Sequence, residues 1–181
     1  MRVLSLVLSI AAASPALAAD KPAKPAAAKP AAAAKPAAAA ALVARDPAAL
    51  VTLLAGMDAK AAVVSSEKGM VVLDIVTPGG KFGVQFVDCD AKGKACQAVA
   101  FSTAFERRGP TLAQINVFNR TQVACRGYLT DDGRSNVMYP VMLTSRLNAA
   151  EMKQHLGVWQ GCLATFGKFN RDPQAYVAGG N

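Results

Sequence analysis

Histidine is almost missing from this chain: His155 is the only one among 181 residues. Zinc sites are built from closely spaced Cys and His ligands. The four cysteines, Cys89, Cys96, Cys125 and Cys162, include no Cys-x-x-Cys pair. The sequence therefore offers neither a zinc ligand set nor the low-pKa thiol of a redox enzyme at a helix start. Gly-x-Gly-x-x-Gly, a Walker loop and Gly-x-Ser-x-Gly are all absent, which removes the common nucleotide-binding and serine-hydrolase motifs. Clustered Arg and Lys interleaved with aromatics are lacking too, so nucleic acid is not an expected partner. The sequence nominates no catalytic, cofactor-binding or metal-ligating residue, no cofactor is expected, and the chain reads as a non-enzyme. What remains of site chemistry has ordinary readings. His155 is a surface histidine with no neighbouring nucleophile. Asp88 and Asp90, and Asp131 and Asp132, are turn and loop carboxylates, although a hydrolase would need such a pair facing a cleft. Arg107-Arg108 is a basic loop before Gly109-Pro110, placed where it would clamp an anion at a helix start.

Long apolar runs are scarce. Val3 to Ala13, after Arg2, is too short to span a bilayer without its flanks, and no later stretch is a second candidate, so no transmembrane segment is expected in the mature chain. Small residues at Ala16 and Ala18 follow, as a signal peptidase requires, with cleavage expected after Ala18 or Ala19. No cysteine follows the run to carry a lipid. Residues 1–19 thus read as an export signal. Residues 20–45 read as a Lys/Pro/Ala-rich spacer expected to be disordered, with Ala-Lys-Pro recurring at Lys24, Lys29 and Lys35. Each proline fixes its own φ and pushes the preceding residue from the α region, so the alanines cannot merge into one helix. Some twenty residues in polyproline II reach on the order of 60 Å. Residues 1–44 carry five basic groups against one acidic, and residues 45–181 fifteen against eleven, so half of the net charge of +8 precedes the folded part. That placement suits weak contact with anionic envelope polymers, or simply a solubilising linker.

Residues 46–170 have the size of one domain, followed by a flexible tail over 171–181. Asp46-Pro47 opens a helix with Leu50, Leu53, Leu54 and Met57 at helical spacing. Strands are predicted over 61–66, 70–77, 81–88 and 97–105, separated by Lys68-Gly69, Pro78-Gly79-Gly80 and a polar loop. Thr111 caps a second helix to about Asn119, with Leu112, Ile115 and Phe118 on one face and Asn119 as a left-handed end. A hairpin over 122–129 and 136–143 turns at Asp131-Asp132-Gly133. Asn148-Ala149-Ala150-Glu151 opens the last helix, whose stripe is Met152, Leu156, Trp159, Leu163 and Phe166. The fold class is α+β: an antiparallel sheet, meander plus hairpin, with three helices packed on it.

Four cysteines in an exported chain point to disulfides, and three pairings are possible. Cys89 and Cys96 flank a short loop between strands and form the first expected pair. Cys125 and Cys162 would then staple hairpin to helix.

The run Lys81-Phe82-Gly83-Val84-Gln85-Phe86-Val87-Asp88-Cys89 with Cys96, then Ile115-Asn116-Val117-Phe118-Asn119, then Tyr128-Leu129-Thr130-Asp131-Asp132-Gly133, resembles the YbjN-type domain. That family is described as a bacterial sensory transduction regulator. The resemblance covers about residues 46–170, and its motif positions Asn116, Phe118, Asn119, Tyr128, Asp131 and Gly133 are structural rather than catalytic. It implies a type III secretion chaperone-like fold of helix, three strands, helix, two strands, helix, and by analogy a homodimer that holds segments of other proteins.

The expected function is that of an exported, periplasmic or secreted protein- or peptide-binding or regulatory module of the bacterial envelope. The alternative is an envelope-associated structural protein tethered through its basic Lys-Pro-Ala arm. A third reading is a hydrolase whose unrecognised site uses His155 and a carboxylate.

Overall fold

Asp46 accepts a hydrogen bond from the backbone N–H of Ala48 and Pro47 occupies the first turn, so helix α1 (Pro47–Ala55) begins where the Asp-Pro pair predicts. It is the first element of the computed structural model, which describes residues 44–179, without the side chains of residues 106–108. The signal segment, its cleavage site at Ala18 and Ala19, and the spacer up to residue 43 lie outside the described residues.

Four antiparallel strands follow: β1 (Lys60–Glu67), β2 (Met70–Thr77), β3 (Gly80–Val87) and β4 (Ala98–Arg108). The three-strand meander implied by the family resemblance is one strand short, and the strands read from the residues stand. Helix α2 (Leu112–Thr121) then crosses to an edge strand, β5 (Arg126–Leu129). Strand β6 (Arg134–Met142) returns between β5 and β4, giving the order β1-β2-β3-β4-β6-β5. The predicted strand at 122–129 is therefore halved. Gln122 caps α2, and the chain reaches the sheet only at Arg126. Arg107 and Arg108, read as a loop, belong to β4, and Arg108 pairs in register with Arg134.

Helix α3 (Ala149–Arg171) starts with the predicted capping box: the Asn148 side chain accepts from the N–H groups of Ala150 and Glu151, and Glu151 reaches back to the Asn148 N–H. Replacing Asn148 with alanine is expected to cost about 1 kcal/mol, measured as a lower urea midpoint at unchanged m-value. A fourth helix corrects both the three-helix expectation and the flexible tail. Asp172 caps and Pro173 starts α4 (Pro173–Ala178), and Tyr176 packs against Phe118 and Phe169 at 5.9 and 5.0 Å between ring centres.

Burial alternates along β2 and the second half of β3, while β6 buries Ser135, Asn136 and Val137 in succession. Val71, Leu73 and Ile75, Val84 and Phe86, Val99 and Phe101, and Val137 and Val141 are buried, and they share one face by register. The apolar stripe of α3 packs on that face, completed by Cys162 and Phe169. Leu163 in the predicted stripe is only half-buried. Two further core candidates are exposed: Leu112 in the first turn of α2, at 62%, and Met57 just past the end of α1. The result is a two-layer α+β arrangement with an antiparallel sheet. It is consistent with a type III secretion chaperone-like layout, with one strand and one helix added.

Candidate functional site

The tip of the β2–β3 hairpin, Pro78-Gly79-Gly80, leaves the middle of α3, Leu156 to Ala164, partly uncovered. Gly80 has φ +140°, a conformation that side-chain-bearing residues rarely adopt, and neither Gly79 nor Gly80 brings a side chain to fill the space above the helix. Opposite, α1 ends at Ala55, Asp58 turns the chain at φ 56°, and small Ala59 follows as a buried residue. A groove of about 590 Å³ opens between these pieces. Leu54 and Met57 form one wall, and Leu156 and Leu163 from α3 the other, seven residues apart and so on one helix face. Exposed Lys81 and Gln160 also line it.

Trp159 sits among these residues and is 1% exposed. Its ring lies edge-on to Phe82 at 5.7 Å and stacks on Phe101 at 6.1 Å. Its indole N–H has no hydrogen-bond partner, the one such buried side-chain atom among the described residues. A buried donor left unsatisfied costs about 1–3 kcal/mol, and buried tryptophans ordinarily find an acceptor. The groove is apolar, with one cation at its edge and an unanswered donor buried beneath its lining. It is suited to hold an apolar group that carries an acceptor such as a carbonyl.

Both expected disulfides are present, Cys89–Cys96 and Cys125–Cys162, as fits an oxidising environment. The loop closed by Cys89–Cys96 is organised by Asp90, whose carboxylate accepts from the N–H groups of Lys94 and Lys92, both at 2.8 Å. The Lys94 bond above all holds its pKa below the usual carboxylate range. The loop also grips the start of the domain. The Arg45 guanidinium donates to the carbonyls of Cys96 and Ala95 at 2.9 and 2.6 Å, the Cys96 N–H donates to the Arg45 carbonyl at 3.0 Å, and Lys94 pairs with Asp46 at 3.1 Å. Ala95 is thereby held at φ 53°, a left-handed conformation that alanine adopts only under constraint.

The family-motif positions do not converge on a cleft. Phe118 is core and Asn116 is exposed on α2. Asn119, expected to end α2 in a left-handed conformation, stays inside the helix. Its amide instead brackets Gly127, donating to the carbonyl at 3.0 Å and accepting from the N–H at 2.7 Å, which ties α2 to β5. Tyr128 points to the opposite face of the sheet. Exposed Asp131 and Gly133, at φ 79°, make the β5–β6 turn, with Asp132 hydrogen-bonded to Thr130 and Arg134. The Thr130 hydroxyl above all lowers the Asp132 pKa.

His155 is half-buried on α3 with its Nδ1 2.7 Å from the Tyr139 hydroxyl, whose pKa burial raises. No carboxylate, serine or cysteine is hydrogen-bonded to it among the described residues. Those residues also contain no group of three or more His, Cys, Asp or Glu placed to hold a metal ion, and no helix long and apolar enough to cross a membrane. The groove itself escaped sequence reasoning, because Trp159, Leu156 and Leu163 read as plain core stripe. Its signal is the mismatch between that bulky stripe and the small residues Ala59, Gly79 and Gly80 that stand opposite it.

Compared with known proteins, the chain matches no family model, no curated protein and no solved structure.

Proposed function

We propose that this chain is an exported, non-enzymatic binding module of the bacterial envelope, akin to the YbjN-type domains it resembles. It acts in the periplasm or outside the cell by holding an apolar segment of an envelope protein or peptide in the groove beside α3. One observation carries the reading: an apolar groove under which the indole N–H of Trp159 is buried without a partner. Leu54, Met57, Leu156 and Leu163 take the apolar side chains of the peptide, and a peptide carbonyl that displaces the atoms covering the indole N–H answers that donor. The signal-like residues 1–19 and the two disulfides support the compartment.

The test is fluorescence anisotropy with a set of short labelled apolar peptides. At least one binds saturably to the wild-type protein. Trp159→Phe keeps the packing but removes the donor, and weakens binding roughly tenfold, the worth of one buried hydrogen bond. Leu163→Glu puts a charge on the apolar wall and abolishes binding. If no peptide saturates, or if both variants bind as the wild type does, the groove is not the site.

The Lys-Pro-Ala arm supports a second reading, attachment to anionic envelope polymers, because it carries half of the charge excess. Deleting residues 21–40 separates the two: the arm reading requires envelope association at low salt to disappear, and the groove reading requires peptide affinity to persist. His155 has only Tyr139 beside it and supplies no nucleophile from which to argue a hydrolase.

A further inference from the structure

The helices cover one face of the sheet, and among the described residues no element covers the other. The strand register lays that open face out in rows. One row reads Asp74, Gly83, Ser102, Met138 and Arg126, from β2 across β3, β4 and β6 to β5. A second begins with Val76 and Lys81 and ends with Asn136 and Tyr128, and a third runs Met70, Val87, Ala98 and Met142. Down the middle, the described side chains that β4 presents are Ala98, Ala100, Ser102 and Ala104, so the centre is a shallow trough. Larger side chains stand on either side, Met142 being 71% exposed.

The first row is antisymmetric about β4. An acid stands two strands to one side of Ser102 and a base two strands to the other, while a glycine and a methionine occupy the positions between. We infer that this face is a self-complementary interface, covered by a second copy of the chain related by a twofold axis running along β4 between the two sheets. The operation brings β2 of one copy over β5 of the other and β3 over β6, with β4 facing itself. Asp74 then meets Arg126 of the copy, Met138 enters the space above Gly83, Val76 covers Tyr128, and Val87 covers Met142. Every contact occurs twice.

The charges are available for this use. Asp74 is exposed and in no salt bridge among the described residues. Arg126 uses Nη1 for the carbonyls of Gln122, Val123 and Cys125, which leaves its other two nitrogens without a protein partner there. Its length spans the offset introduced by sheets packed at about −30°. Lys81 faces Asn136 of the copy, so no like charges are opposed among the described side chains. With strands about 4.8 Å apart and same-face side chains about 6.8 Å apart, the patch covers on the order of 600 Å² per copy. Roughly 1,200 Å² in total reaches the lower end of a specific interface.

Sedimentation equilibrium of the purified, oxidised protein tests this, with circular dichroism confirming that each variant folds. The wild type is expected to be a dimer. Asp74→Arg and Arg126→Asp each weaken it at least about tenfold, since each reversal acts at two symmetric sites, and the double variant returns to near wild-type affinity. Ser102→Cys is expected to join two chains through a short bismaleimide, whereas Val63→Cys on edge strand β1 is not. A monomeric wild type overturns the inference. So does a dimer indifferent to the charge reversals, or one crosslinked through Val63→Cys, which pairs by its sheet edge. A monomer whose open face instead binds a different protein overturns it as well.

Discussion

Replacing Phe166 with alanine is expected to destabilise the domain by about 4 kcal/mol, the size seen when a large aromatic is removed from a core that cannot close over the gap. Phe166 is fully buried and stands where three elements meet: its ring contacts Phe118 of α2 edge-on at 5.0 Å, Phe105 of β4 at 5.3 Å and Phe169 of α3 at 5.4 Å. Beneath it the backbone of Gly127 comes so close that a Cβ there would lie 2.7 Å from the ring. The surroundings are rigid. Gly127 is fixed by Asn119 on both its N–H and its carbonyl, and Phe118 is further held against Phe169 and Tyr176. With nothing free to collapse inward, the cavity stays open, and the aromatic pairs are lost in addition to the buried area. The measurement is urea unfolding followed by far-ultraviolet circular dichroism. A loss below about 1.5 kcal/mol would show that the site relaxes, contrary to the rigidity argued here.

Removing the Cys125–Cys162 bridge by changing both residues to alanine is expected to cost a similar amount, about 4 kcal/mol, against about 2.5 kcal/mol for Cys89 and Cys96 changed together. The difference is one of loop length: the bridges span 37 and 7 residues. Closing the longer loop removes more freedom from the unfolded chain. It also encloses β5, β6 and the first half of α3, so its loss releases the edge strand and its covering helix together. Alanine suits the test because Cys125 and Cys162 are both buried, and a serine would add the cost of an unpaired hydroxyl. Comparable losses from the two bridges in denaturant titrations would count against the loop-length explanation.

The sheet was legible from residues alone because most of its inner positions are apolar, Thr103 and Ser135 being exceptions, and each turn between β1, β2 and β3 carries glycine where φ is positive, at Gly69 and Gly80. The hairpin turn at Gly133 follows the same chemistry. The errors have particular causes. Apolar Leu112 matches helical spacing but lies in the first turn of α2, beyond the reach of the sheet. Gln122 to Cys125 resembles a strand by composition, yet the α2 cap and the Cys125–Cys162 bridge direct it. Helix α4 was missed although Asp172-Pro173 repeats the Asp-Pro opening that located α1. Its six residues are too few to show periodicity, and Tyr176 docks through tertiary contacts that no local pattern announces. The groove is a shortage of covering atoms at one end of an otherwise ordinary core. Periodicity reports which side chains turn inward, and it is silent on whether anything meets them there.

The clasp between Arg45, Asp46 and the Cys89–Cys96 loop governs how tension would enter the domain. A load drawn along residues 20–43 reaches Arg45 first, where three hydrogen bonds and the Lys94–Asp46 ion pair must give way together before α1 feels any pull. The disulfide closes the ends of β3 and β4 behind that grip, so the loop cannot lengthen beyond its seven-residue span. Force is delivered to the middle of a six-stranded sheet, whose ladders share it, rather than to the nine-residue helix that would otherwise unravel first. A pull on the chain ahead of Arg45 would therefore be borne by the sheet.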